Sequence, residues 1–247
     1  MNVDPWIQLQ LLDLQILDSA IERLAIQRCI LPELADITRL GDRLRTLGAE
    51  LADAERARND SARAQTRLET DVEQVRTRST RDQDRLNNGN ITSAKELENL
   101  QSEIASLTRR RDVLEDELLE LMETTETAAS VAGELQAERE KLEGEKAEAA
   151  RRRDAAWIDI DQQSAMKAEE RAQLAPTLPT DLVTLYERIR KSSNGVGAAR
   201  LFRRRCEGCH LELSGSDWND VVEAPISLVL RCEECRRILI RTADSGI

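Results

Sequence analysis

Aromatic side chains are scarce: three tryptophans, one tyrosine and one phenylalanine among 247 residues. That argues against a thick globular core, which draws much of its buried area from such rings. Histidine occurs once, at His210, so histidine-rich metal sites and catalytic pairs built on two histidines are excluded. No apolar run approaches the roughly 20 residues needed to span a bilayer. The N-terminal "MNVDPWIQLQ" carries an acid and no basic stretch, so it does not read as a secretory signal. There is no G-x-x-x-x-G-K-[ST] phosphate loop and no G-x-S-x-G elbow, and Gly195-Val-Gly197 follows a helix rather than a strand. Nothing asks for catalysis or for a small-molecule substrate, and the chain reads as a non-enzymatic, cytoplasmic protein with no membrane segment.

What is abundant is charge, at 34% of residues, together with alanine and leucine. The charge is uneven. Residues 1–181 hold 25 basic and 38 acidic side chains, whereas residues 182–247 hold 11 and 9. So acidic an arm does not bind nucleic acid along its length, because phosphate contacts need net positive charge.

The same region shows a heptad frame. Leu14, Leu17, Ile21 and Leu24 step by three and four until Pro32 breaks the phase. The frame resumes at Ile37, Leu40, Leu44, Leu47, Leu51 and Ala54, thins through Arg58, Ser61 and Gln65, and recovers at Leu68, Val72, Val75 and Leu86. "RLNNGNIT" (Arg85–Thr92) follows, with Asn88-Gly89 a strong turn signal. A second frame then runs from Leu97 through Leu100, Ile104, Leu107, Leu114 and Ala132 to Ala149 and Ile160, with Arg111, Arg139, Lys146 and Arg153 on the same stripe. A period of 3.5 marks supercoiled helices. Pro5–Asn87 and Ser93–Ala175 are arms of equal length about one turn, which predicts an antiparallel hairpin near 120 Å long, estimated at ~1.5 Å per residue. An intermolecular coiled coil would share the pattern. The off-pattern cations are expected to set register or to snorkel out.

"LAPTLPT" (Leu174–Thr180) ends the second arm with two prolines. The fold class is therefore mainly α: a long antiparallel coiled-coil hairpin over 1–175, turning near 87–92, then a small C-terminal domain over 176–247 with a short leading helix and short β-strands. "AARLFRRR", "SLVLR" and "RRILIR" read as strands, and "SGSDWNDVVEA" as a capped helical turn.

Cys206, Cys209, Cys232 and Cys235 form C-x2-C-x22-C-x2-C. A two-residue spacer lets both sulfurs of a pair face one ion, and two pairs close a tetrahedron around one structural Zn²⁺. Two disulfides, a redox pair and an iron–sulfur centre are the competing readings. A unit with so few large side chains needs a staple, and zinc supplies one. His210 reads as solvent-facing or supporting rather than a ligand, and Cys29 as a buried reduced thiol.

Together these features resemble the C4-type zinc-ribbon family whose members carry a long coiled-coil hairpin before the ribbon. The most specific segments are "AKELENLQSEI" (Ala94–Ile104), "LEDELLELME" (Leu114–Glu123), "YERIR" (Tyr186–Arg190) and the four cysteines with "RILI" (Arg237–Ile240). The resemblance implies that the four cysteines ligate zinc and that the ribbon binds nucleic acid. It departs at Arg236, where family members often carry glycine, whose freedom at positive φ eases the turn.

Two partner classes follow. For nucleic acid, the candidate residues are Arg200, Arg203, Arg204, Arg205, Arg231, Arg236, Arg237 and Arg241, with Phe202 or Trp218 to stack on a base. Residues 200–241 also hold seven acids, so binding would rest on one arranged face. For a protein partner, the hairpin tip offers Asn88, Asn90, Ile91, Lys95 and Glu96. The oligomeric state is not fixed by the sequence.

Overall fold

The computed structural model describes residues 1–89, 91 and 93–247. Of the tip residues singled out above, Asn90 lies outside the described residues. Helix α1 spans Pro5–Cys29, α2 Pro32–Asn87, α3 Ala94–Leu174, α4 Thr180–Ser192 and α5 Gly215–Glu223. Four short strands, β1 (Ala198–Phe202), β2 (Arg205–Cys206), β3 (Leu230–Arg231) and β4 (Ile238–Ile240), complete the fold. The chain forms two compact units, one of residues 1–34 with 150–247, the other of residues 35–149.

In the unit 35–149, α2 and the first part of α3 run antiparallel within one chain. Arg43 reaches Glu138 at 2.9 Å, Arg76 reaches Glu115 at 2.7 Å, Arg78 pairs with Glu103, and Arg85 approaches Glu96 at 3.9 Å. Of these, Arg43–Glu138, Arg78–Glu103 and Arg85–Glu96 lie at equal sequence distances from the turn, which an intramolecular hairpin requires, while Arg76 reaches further along α3 to Glu115. The buried stripe is Leu40, Leu47, Leu51 and Val72 facing Leu100, Leu114, Ala132 and Ala149. The off-pattern cations find local solutions: Arg139 turns to Glu143 at 2.9 Å, and Lys146 lays its Nζ over Gly41. Asn88 donates to the Asp84 carbonyl, and Gly89 takes φ 68°, a conformation glycine adopts without a Cβ clash. Ser93 caps α3 by accepting from Glu96 N–H at 3.2 Å. Asp82 occupies the buried stripe next to the tip, its side chain 8% exposed, and its Oδ2 has no hydrogen-bond partner among the described residues.

The other unit begins with a latch. Val3 N–H donates to Ser227 O at 2.7 Å and Val229 N–H to Met1 O at 3.0 Å, so the N-terminal residues pair with the segment entering β3. Asp4 then caps α1 by accepting from Trp6 N–H, with Pro5 in the first turn, where the missing N–H costs nothing. α1 stops before Pro32. Its free carbonyl at Arg28 accepts from Trp157 Nε1 at 3.1 Å, and the Arg28 and Arg153 guanidinium groups each lie over the Trp157 ring, at 4.5 and 4.6 Å from its centre. Cys29, expected to be buried, is exposed, because the helix ends there and leaves no further turn to cover it.

The sheet order is β2-β1-β4-β3, with β1 and β4 parallel and the other pairs antiparallel. A parallel pair needs a crossover, here the whole cysteine-bearing segment from 203 to 237. One core holds Leu11 and Leu14 of α1, Leu182, Tyr186 and Ile189 of α4, and Ile238 and Ile240 of β4. A second, around the cysteines, holds Ala199, Leu201, Leu213, Val221 and Leu239.

A polar stripe on α1 joins these pieces. Gln8 Nε2 donates to the Val3 and Ser227 carbonyls at 2.9 and 3.2 Å. Gln15 Oε1 accepts from Gly197 N–H at 2.6 Å while its Nε2 donates to Gly195 O at 3.0 Å, so one amide side chain serves the loop as a neighbouring strand would. Asp18 accepts from the Tyr186 hydroxyl at 2.7 Å and from Arg171 Nε at 2.6 Å, with Arg190 at 3.6 Å. Glu187 pairs with both Arg171 and Arg190. Burial, reinforced by the bond to Asp18, pushes the Tyr186 hydroxyl well above its usual range. Most of the "YERIR" segment is thereby accounted for as a lock between α1, α3 and α4.

Candidate metal centre and arginine face

Two turns of nearly identical backbone carry the cysteines. In the first, His210 N–H donates to Cys206 O at 2.8 Å and Cys206 N–H to Leu211 O at 3.0 Å. In the second, Arg236 N–H donates to Cys232 O at 2.8 Å and Cys232 N–H to Arg237 O at 3.0 Å. Each turn closes on a residue at positive φ, His210 at 62° and Arg236 at 60°. The departure from glycine at Arg236 therefore leaves the turn itself intact, and its cost is borne as backbone strain.

The four Sγ atoms lie within 4.8 Å of one another. Cys206 to Cys235 is 3.9 Å and Cys209 to Cys232 is 3.8 Å. A tetrahedron with Zn–S bonds of ~2.3 Å has edges of ~3.8 Å, whereas a disulfide would need ~2.05 Å. The cluster fits one Zn²⁺ and does not fit two disulfides. Cys206 and Cys232 are buried, Cys209 and Cys235 partly so. Burial pushes the Cys206 and Cys232 thiols up, against the pull of backbone N–H groups from the following residues of each turn. At Cys235 burial acts the same way but is outweighed by the Arg237 backbone N–H and guanidinium and by the neighbouring thiols, which bring it down to about 7. Zinc holds all four as thiolates, and with four protein ligands it leaves no position for a substrate. Its contribution is folding energy.

The two turns are also clamped to each other. A Cβ at Gly208 would lie 2.6 Å from Arg237 Cδ and 2.9 Å from Ala199 Cβ, so the Arg237 stem crosses the first turn where only glycine leaves room. Arg237 then donates to Val196 O at 3.0 Å and Ser193 O at 2.8 Å. Arg241 donates to four carbonyls, those of Val221, Ala224, Pro225 and Leu228, at 2.6 to 3.3 Å, and burial lowers its pKa. Arg200 is bound to Glu207 at 2.9 Å and Asp244 at 3.3 Å, and Arg231 Nε donates to Arg236 O.

The remaining arginines are exposed. Arg203, Arg204 and Arg205 line a groove of about 330 Å³ with Phe202 and Glu212. Arg200 and Arg203 lie over the Phe202 ring at 5.4 and 5.3 Å, and Arg204 over Trp218 at 5.5 Å. Arg236, paired with Glu233 at 3.1 Å, is exposed on the second turn. His210 is exposed and outside the cluster. At the tip Asn88, Lys95 and Glu96 are exposed and Ile91 half-buried.

An antiparallel helical hairpin whose chain continues into a four-thiolate ribbon defines a coiled-coil protein of the C4 zinc-ribbon class. Residues 14–194 match the CT398-like coiled coil hairpin domain and residues 205–239 the C4-type zinc ribbon domain, and the chain belongs to that family. It is 34% identical over 241 residues to the uncharacterized protein Rv2229c of Mycobacterium tuberculosis, covering 95% of each chain. A solved Mycobacterium smegmatis structure is 31% identical with a TM-score of 0.85, covering 98% of this chain and 100% of that one. The structure of CT398 from Chlamydia trachomatis, 20% identical with a TM-score of 0.52 over 96% of this chain and 98% of that one, shares the fold. No helix among the described residues is long and apolar enough to cross a membrane.

Proposed function

We propose that this zinc-binding protein is non-enzymatic and binds nucleic acid through the ribbon, with the coiled-coil arm as spacer and interaction lever. The observation that carries the reading is the groove of Arg203, Arg204 and Arg205 beside Phe202. Arginines stacked on aromatic faces beside a basic groove suit an unpaired base and its phosphate. Arg200, Arg237 and Arg241 support that face from within rather than contacting the ligand, since their guanidinium groups are held by Glu207 or by backbone carbonyls. The non-enzymatic part rests on the closed thiol shell and on a single histidine, His210, without a nucleophile in any motif.

The test is anisotropy of labelled single-stranded RNA and DNA titrated with zinc-loaded protein over a salt series. Affinity is expected to fall with salt, and the Arg203→Ala, Arg204→Ala, Arg205→Ala triple variant to lose it while keeping its zinc. No salt-dependent binding at low ionic strength refutes the reading.

The second reading is a protein adaptor acting through the hairpin tip and ribbon. It is supported by Lys95, Glu96 and Leu97 standing exposed next to the buried, half-satisfied Asp82. If charge reversal at Lys95 and Glu96 leaves every crosslinked partner in place, the tip has no such role.

A further inference from the structure

Five large apolar side chains stand exposed about the termini: Met1, Trp6, Val222, Ile226 and Ile247, with Ile226 at 69% and Trp6 at 67%. Isolated exposed apolar residues need no explanation, but a contiguous patch does. Of these five, Val222, Ile226 and Ile247 share one groove. Pro5 and Leu9 of α1, Val222 at the end of α5, Ile226 beyond it and Ile247 line a single groove of about 430 Å³. Its walls are fixed in place. Gln8 ties α1 to the Ile226 and Ser227 carbonyls, and Arg241 clasps the end of α5 to the segment after it.

The exposed side-chain charges flanking the groove are acidic. Asp4 precedes Pro5, Glu223 lies between Val222 and Ala224, and Asp13 sits one helical turn beyond Leu9. All three are exposed and, among the described residues, none has an ion-pair partner. The cation in the lining is Arg241, whose guanidinium is engaged with four carbonyls. Along α1 the exposed Trp6 and Ile16, with the half-buried Leu9 between them, fall at a helical spacing that a second helix laid alongside would follow.

We propose that this groove is a docking surface for a basic amphipathic helix of a partner protein, its apolar side chains seated between α1 and the end of α5 and its lysines or arginines facing Asp4, Asp13 and Glu223. Helix-in-groove recognition takes anchors at i, i+3, i+4 and i+7, and the unpaired carboxylates select the sign of the partner's polar face. This deepens the adaptor reading, giving it a surface and a partner chemistry. It uses neither the arginine groove nor the hairpin tip.

The test uses the full-length zinc-loaded protein and a fluorescein-labelled peptide of about eighteen residues with leucine at i, i+3, i+4, i+7 and lysine elsewhere. One control is the same composition scrambled out of period, and another has glutamate for lysine. The periodic basic peptide is expected to bind at least about tenfold tighter than either control, a difference that Ile226→Asp or Val222→Asp abolishes. Glu223→Lys is expected to weaken the basic peptide and strengthen the acidic one, and serves if the aspartate variants lose zinc. The Arg203/Arg204/Arg205 alanine triple and charge reversal at Lys95 and Glu96 are expected to leave peptide binding unchanged, which separates this surface from both earlier readings. Equal binding of periodic and scrambled peptides overturns the proposal, as does an unaffected Ile226→Asp. A sedimentation dimer that Ile226→Asp converts to monomer assigns the groove to a second copy of the chain and overturns it too.

Discussion

Replacing Tyr186 by phenylalanine removes one oxygen and keeps the ring that α4 buries against α1. The hydroxyl donates at 2.7 Å to Asp18 Oδ2, and the Asp18 side chain is 3% exposed. A hydrogen bond to a buried charged group contributes about 1.5–3 kcal/mol. Asp18 keeps Arg171 at 2.6 Å, so the carboxylate does not become an orphan and the loss belongs at the lower half of that range, about 2 kcal/mol. For a unit of about 130 residues, 1 kcal/mol corresponds to roughly 3–5 °C, which gives a fall in Tm of about 6–10 °C. Differential scanning calorimetry at pH 7 on zinc-loaded protein measures it, with Asp18→Asn and the double variant completing a cycle. Coupling of at least about 1 kcal/mol is expected between the two sites. A loss below about 0.5 kcal/mol, or additive single effects, would refute the claim that this bond locks α4 to α1.

Tyr186 is the chain's single tyrosine, so tyrosinate absorbance reports on it alone: at pH near 11 the native protein is expected to show none, and unfolding at that pH to release it. The sign follows from the raised pKa, the lock's contribution being complete below the unfolded value of about 10 and lost as pH rises above it. Cys235→Ser, or chelation of the parent protein, is expected to remove zinc and expose β1–β4 to amide exchange while α2 and the adjoining part of α3 keep their protection; full zinc content measured in the serine variant would contradict four-thiolate coordination. Asp82→Leu is expected to stabilise the hairpin by about 1–3 kcal/mol in a denaturant titration, because it replaces a buried carboxylate lacking a partner on one oxygen with an apolar side chain on the same stripe. Arg236→Gly is expected to change stability by less than about 1 kcal/mol by thermal melting, since relief at φ 60° is offset by greater chain entropy in the unfolded state; a loss beyond about 2 kcal/mol would show that the side chain, not the turn, holds the second knuckle.

The hairpin was legible because its information is local and repeated. Leu100, Leu114, Ala132 and Ala149 are buried at the positions their spacing marks, Pro32 separates α1 from α2, and Asn88-Gly89 turns the chain. The four cysteines were legible for a related reason: a two-residue spacer encodes the geometry of each turn by itself. The stripe of Gln8, Gln15 and Asp18 was not. A polar residue on a charged helix reads as solvated, and the partners of Gln15, Gly195 and Gly197, lie about 180 residues away. One signal was available, in that Gln8 and Gln15 fall seven residues apart among the leucines and isoleucines of the first half of α1. The eight arginines around the knuckles show the same limit. Sequence gathers them by proximity, but the fold commits Arg237 and Arg241 to backbone carbonyls and leaves Arg203, Arg204 and Arg205 around one groove.

The polar stripe and the metal answer the same physical shortage. The ribbon has two small cores, one around Tyr186 and one around the cysteines, and neither has the aromatic mass that usually fixes strands as short as two residues. Zinc closes the second core from within. The first is closed from α1, whose side-chain amides and carboxylates satisfy N–H and C=O groups that a wider sheet would have paired with another strand. Arg237 connects the two solutions, since its stem crosses the first cysteine turn at Gly208 and its guanidinium reaches both Cys235 and the Ser193–Val196 loop that leads to the Gln15-bound Gly197. Loss of the metal therefore loosens more than the knuckles: it frees the arginine that holds this loop against α1, so zinc and the α1 contacts are expected to fail together rather than in sequence.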